Sequence, residues 1–148
     1  MKNIKRAKGM AKTTHNEGGC FRYYNCNPHH KHTPDCVIRA IAAGEGESWE
    51  TTLRNLTECM IKHGDMLSTP ELYGKYLKDR GWVKQKQPKT KDGKKIKIKD
   101  FLKTFHGQAI AHAGIGHVTY LSEGKVYDLW DCSGDIVGNF WTYEGNKD

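Results

Sequence analysis

No apolar run in this chain approaches the roughly 20 residues that a helix needs to cross a bilayer, and its hydrophobic residues make up only 36% of the whole. That excludes a helical membrane span and leads to the expectation of a cytoplasmic protein without a membrane partner. The basic start, Met1 to Lys8, has no apolar stretch behind it and does not read as a secretory signal. The five cysteines are an odd number, in a chain of 148 residues that is too large to look like a disulfide scaffold. Cys20, Cys26, Cys36, Cys59 and Cys132 are therefore read as thiols. The C-x2-C and H-x3-H pairs of common zinc sites are missing, as are internal repeats.

The length suits one domain with a core of its own. Residues 1–18 are polar, lysine-rich and unpatterned, which predicts a flexible basic leader before a single domain over 19–148. The net charge of +7 is unevenly spread, with eight lysines between Lys84 and Lys99. This lysine-rich loop at 84–99 has two readings, a solvated surface or a contact for acidic partners. It holds no aromatic residue to stack a base, and lysine lacks the planar fork of arginine. Any nucleic-acid binding is expected to be weak and nonspecific.

Helical signals fill the first half. Pro34 and Asp35 open a segment that is apolar nearly all round, from Val37 to Ala42, and Gly44 and Gly46 stop it. Ser48 is an N-cap for a second helix through Leu53, Leu56 and Met60, ending near His63-Gly64. Thr69-Pro70-Glu71 starts a third, which Gly81 closes. Ile96 to Leu102 marks a short helix or strand. Strand texture follows at 108–113, 117–121, 125–131 and 136–143, with Ser122-Glu123-Gly124 as a hairpin turn; Cys20 to Tyr24 reads as one further short strand. Helices first and an antiparallel meander last predict an α+β fold.

Cys36 stands at the start of the buried helix, where the partial positive charge of a helix N-terminus favours thiolate. A buried structural thiol is the competing reading, and Asp35 beside it opposes thiolate formation. His117 follows Gly114-Ile115-Gly116 and opens a strand. A turn centred on Glu123-Gly124 sets His117 across from Trp130 or Asp131, depending on one residue of register. Asp131 is the favoured partner for the imidazole and Asp128 the alternative. Cys20, Cys26, His29 and His32 form a weak alternative as metal ligands, since their spacing matches no usual site. No cofactor is otherwise expected.

The residues Asn27-Pro28, Asp35-Cys36-Val37-Ile38-Arg39-Ala40-Ile41, Ser48-Trp49-Glu50, Gly64-Asp65-Met66, Gly116-His117-Val118 and Tyr127-Asp128-Leu129-Trp130-Asp131 carry a resemblance. Over roughly residues 20–143 the chain resembles a family of small papain-like, cysteine-peptidase-like proteins of Firmicutes bacteria and their phages. The linked motifs are specific to that family and much less so to any activity. The resemblance implies a papain-like fold, with N-terminal helices packed on a C-terminal antiparallel sheet, the thiol on a helix and His117 and Asp131 on the sheet. It also implies an oxyanion-stabilising side chain upstream of the cysteine. Papain-like spacing points at His30 and side-chain chemistry at Asn27. The chain departs from the family at His29-His30-Lys31-His32, where glycine- and lysine-rich residues are more usual.

Two functions from different classes follow. In the first, Cys36 attacks the carbonyl of a peptide or protein substrate, His117 moves the proton and Asp131 orients the ring, giving a cysteine hydrolase or acyl transferase, most simply a peptidase. Isopeptidase and deamidase chemistry use the same groups. In the second, a non-catalytic phage or bacterial protein keeps the scaffold as a platform and engages an acidic macromolecule.

Overall fold

A computed structural model describes residues 17–145. Residues 1–16, most of the expected leader, lie outside the described residues. The chain is a mixed α+β structure: β1 (Phe21–Tyr23), α1 (Cys36–Glu45), α2 (Trp49–His63), α3 (Pro70–Asp79), β2 (Trp82–Gln85), α4 (Ile98–Phe101), β3 (Ala109–Ala113), β4 (His117–Ser122), β5 (Lys125–Asp128) and β6 (Val137–Tyr143). The six strands form one sheet in the order β1-β5-β4-β3-β6-β2. No described helix is long and apolar enough to cross a membrane.

The sheet departs from a purely C-terminal antiparallel meander at both edges. At one edge β1 pairs parallel with β5, Phe21 opposite Val126. At the other, β2 pairs antiparallel with β6, Trp82 opposite Tyr143. The second of these strands was not expected. Trp82 is buried but Val83 and Lys84 face solvent, so four residues give no clear alternation. Only β3, β4 and β5 run as a meander, and β6 crosses back to the far side of β3.

Both faces of the sheet are covered. Val118, Tyr120, Ile110 and Trp141 project to the face where α1, α2 and α3 pack, through Ile41, Leu56, Tyr73 and Leu77. The opposite set, including Ala109, Ala111, Leu121 and Val126, meets Ile98, Phe101 and Leu102 of the α4 region. The alternation of a strand thus serves two cores, since successive side chains leave the pleat on opposite sides.

Helix α1 lies deepest, with every residue from Val37 to Glu45 buried. It runs through Gly44, which was expected to stop it, and is capped by Gly46 in the left-handed conformation at φ 65°. Position 44 takes glycine because the Trp82 indole leaves no room for a side chain: a Cβ there would stand 2.9 Å from Trp82 Cη2. Ser48 caps α2 by accepting the Thr51 amide at 3.1 Å. Glu123 and Gly124, at φ 53° and 75°, make the two-residue turn between Ser122 and its partner Lys125.

The lysine-rich segment is tied to the sheet rather than looping freely. Gln87 donates its amide to Asn139 Oδ1 at 3.0 Å, and Val137 donates to the Ile96 carbonyl at 2.9 Å. The eight lysines themselves are all exposed.

Overpacking this contact is expected to be expensive. Gly44→Val should lower unfolding stability by about 2 kcal/mol or more, because the buried Trp82 ring cannot withdraw. Urea denaturation of the variant beside the parent measures this; an unchanged midpoint would show that the two elements are not in contact.

Candidate active site

Asp35 and Cys36 begin α1, and their side chains divide two tasks. Asp35 takes the N-cap position but makes no side-chain cap bond. Its carboxylate instead accepts Arg39 Nε at 2.7 Å on Oδ1 and Trp49 Nε1 at 2.9 Å on Oδ2. The negative charge expected to oppose a Cys36 thiolate is therefore held by a buried guanidinium. Arg39 was not foreseen as part of the site. An arginine within an otherwise apolar helix is nevertheless a signal, because a buried guanidinium must find carboxylates.

Its second carboxylate is Asp128. Arg39 Nη1 donates to Asp128 Oδ1 at 2.9 Å, and the two side chains are 4% and 0% exposed. The same Oδ1 accepts the Leu129 amide at 2.7 Å. That local bond draws the chain out of the ladder, so β5 stops at Asp128 rather than continuing to residue 131. The other oxygen, Oδ2, faces His117, whose Nε2 donates to it at 2.6 Å.

This geometry corrects the favoured partner of His117. The carboxylate on the imidazole belongs to Asp128, the alternative, and not to Asp131. The observed register pairs Tyr120 with Tyr127 and Leu121 with Val126. Strand β5 closes at Asp128 and residues 129–131 have left it, so the alternation of the strand does not carry on to Asp131. The Trp130 ring lies 4.5 Å from the His117 ring, centroid to centroid. Asp131 is exposed and its Oδ1 accepts the Ser133 amide at 3.0 Å.

His117 and the Val118 amide stand close enough to Cys36 to favour its thiolate. Burial alone would raise the Cys36 pKa; the His117 hydrogen bond, the Val118 amide and the charges of His117 and Arg39 outweigh it and hold the thiol below its ordinary value. For His117, burial disfavours the charged ring, but hydrogen bonds to Asp128, Cys132 and Cys36, with the Asp128 charge, push its pKa up to about 11. Asp128 is opposed by burial and still falls below the carboxylate range through His117, Thr119 and Arg39. Each shift favours the charged form of its group: thiolate at Cys36, imidazolium at His117 and carboxylate at Asp128.

The upstream loop supplies fixed backbone more than free donors. Asn27 is buried; its Oδ1 accepts the His29 amide at 2.8 Å, and its own amide donates to Asn25 Oδ1 at 3.0 Å. His30 is exposed with φ at 55°. Asn27 and His30 both line a cavity of about 410 Å³ with Tyr24, Cys26 and Trp49. The four residues weighed as a metal site are not brought together: His29 and His32 face solvent, and His32 Nε2 pairs with the Tyr23 hydroxyl at 3.2 Å. Among the described residues the convergent metal-capable group is a different one, His117, Asp128 and Cys132. Cys132 was read only as one thiol among five. Its sulfur donates to Asp128 Oδ2 at 3.5 Å.

Comparison of the chain with protein-family models, with curated proteins and with solved structures finds no match.

Two outcomes follow from this geometry. Arg39→Met leaves Asp35 and Asp128 buried without their cation and should cost about 3–5 kcal/mol of stability near neutral pH, read by urea unfolding. Because the folded-state pKa of Asp128 is depressed, its share of the stability is present above the ordinary carboxylate range and disappears as pH falls through the folded value. The gap between variant and parent should accordingly narrow in acid.

The second concerns the thiol. Iodoacetamide alkylation of Cys36, followed residue by residue in mass spectra, should stay fast from neutral pH down into mild acid. His117→Gln should slow it about tenfold or more at pH 7. Reaction of Cys36 that falls away below pH 9, as for an ordinary thiol, would contradict the ion pair.

Proposed function

We propose that the protein is a cysteine-dependent hydrolase or acyl transferase acting on a peptide or protein carbonyl, on a papain-like scaffold of the kind the sequence resemblance implies. The observation that carries this reading is the His117–Asp128 hydrogen bond at 2.6 Å, with Cys36 near enough to His117 for the thiol pKa to be lowered and the imidazole pKa raised. Nucleophile, proton carrier and orienting carboxylate stand in the order such chemistry requires.

Each group has one role. Cys36 as thiolate adds to the carbonyl carbon. With Nε2 bonded to Asp128, the other ring nitrogen is the one that serves the sulfur and the leaving group in this mechanism. His117 gives its proton to the departing amine as the tetrahedral adduct collapses to a thioester. It then takes a proton from the water or amine that resolves the thioester. Asp128 fixes the ring and stabilises the imidazolium; it stays ionised throughout. The developing oxyanion needs donors near the Cys36 sulfur, and the helix N-terminus supplies partial positive charge there. Asn27 shapes the preceding loop; it and His30, the two side chains expected on the oxyanion side, line a cavity that neither Cys36 nor His117 lines.

The test is capture of the acyl-enzyme. An activated ester or thioester of a short peptide should acylate Cys36 stoichiometrically, seen as a mass increase on the peptide containing residue 36. Cys36→Ala should abolish it. Asp128→Asn should slow it about a hundredfold or more, whereas Asp131→Asn should leave it unchanged. Acylation spread over several thiols, or a loss with Asp131 instead of Asp128, would refute the assignment.

One observation favours an added binding property. The eight lysines between residues 84 and 99 are exposed and find no carboxylate among the described residues. Weak, sequence-independent attraction to polyanions follows, with steep salt dependence. Short DNA and RNA should bind at low salt and be released at moderate salt; tight or sequence-selective binding would place the non-catalytic reading first.

A further inference from the structure

We propose that His117, Asp128 and Cys132 form a binding site for a thiophilic divalent cation, zinc foremost, and that its occupation switches off Cys36. The inhibitory part rests on the hydrolase reading; the metal site does not.

An imidazole nitrogen, a carboxylate oxygen and a thiol sulfur converge here, all within 4.8 Å of one another. Nitrogen, oxygen and sulfur are the donor types that zinc takes, and a sulfur ligand selects against magnesium and calcium. The three residues come from separate places: the first position of β4, the last of β5, and the turn beyond β5. Asp128 is fully buried and Cys132 is 2% exposed. A thiol in that position is not needed to orient His117, because Asp128 already does so.

The present contacts show how an ion would enter. Asp128 Oδ2 accepts two hydrogen bonds, from His117 Nε2 at 2.6 Å and from Cys132 Sγ at 3.5 Å. A dication lying among the three atoms replaces both. Two protons leave to solvent, and the carboxylate and thiolate charges balance the ion, with no electron transferred. Metal–nitrogen and metal–oxygen bonds of about 2 Å at a tetrahedral angle need roughly 3.3 Å between Nε2 and Oδ2. A modest swing of the imidazole supplies that opening. The carboxylate need not move, because Arg39 and the Leu129 amide hold its other oxygen, as an outer shell holds a metal ligand.

Occupation changes the chemistry at Cys36. With Nε2 bound to the ion and Asp128 engaged by it, the ring loses the carboxylate that stabilises its imidazolium. It then cannot carry the proton that the leaving amine requires. The thiol remains in place, and the proton relay stops.

Cobalt(II) titration of the full-length chain tests the site without any substrate. A thiolate-to-cobalt absorption band should appear with one equivalent and be displaced by zinc. Cys132→Ser should lose the band and weaken binding about a hundredfold. A chain with Cys20, Cys26, Cys36 and Cys59 all replaced by serine, which leaves Cys132 untouched, should keep it. A band that survives Cys132→Ser, or is missing from the Cys132-only chain, or vanishes when His29 and His32 are replaced, overturns the site. Zinc should also block acylation of Cys36 in the parent by a short-peptide anilide, whose leaving amine needs that proton. Undiminished acylation with zinc bound overturns the switch. Failure of the metal-free protein to acylate at all refutes the hydrolase reading, while the cobalt spectra still decide the site.

Discussion

The buried guanidinium of Arg39 is the interaction on which the rest of this structure depends. At 4% exposure it lies between Asp35, 3% exposed, and Asp128, fully buried. An uncompensated ion there would cost several kcal/mol, so neither carboxylate can leave without destabilising the other partner. The bridge spans 89 residues of sequence, from the first turn of α1 to the end of β5. It fixes the helix end that carries Cys36 relative to the strand that carries the partner of His117. Two cations, Arg39 and His117, face two anions, Asp35 and Asp128. The formal charges of these four groups cancel before the thiolate is counted.

The same network explains why, of the two thiols beside His117, Cys36 is the one favoured to ionise. Burial works against ionisation of both Cys36 and Cys132. Cys36 also receives the Val118 amide and the fields of His117 and Arg39, and it stands at a helix N-terminus. Cys132 instead faces the negative charge of Asp128, which adds to the burial penalty, and its pKa rises. Cys36 is half-buried and Cys132 buried. Burial together with the Asp128 charge thus separates a thiol whose pKa is raised from one whose pKa is lowered.

Much of this was legible in the residues, and the failures have physical reasons. The helix limits at Ser48, Gly64, Thr69 and Pro70 follow from capping chemistry, which acts over a few neighbouring residues. The mixed α+β character followed from periodicity. The edge strand Trp82–Gln85 escaped because a short, half-exposed strand leaves no alternation to read. Asp131 was preferred to Asp128 because register was open by one residue, and strand parity reverses with each such step. The strand closes at Asp128, whose carboxylate meets His117, and the residues beyond it no longer follow the alternation on which the choice of Asp131 depends. Gly44 read as a stop because propensity is local, whereas its reason for being there, the Trp82 indole, arrives from a distant element. Arg39 and Cys132 were visible as residue types, but their meaning depends on three-dimensional neighbours.

The central claim is that Cys36 and His117 stand as thiolate and imidazolium at neutral pH. The ring nitrogens of His117 report this directly. In nitrogen-15 spectra of the histidine-labelled protein, the account predicts that both nitrogens carry protons at pH 8, and that replacing Asp128 with asparagine removes this state. A His117 ring that is neutral at pH 8 and titrates near its ordinary value of about 6.5 would contradict the account.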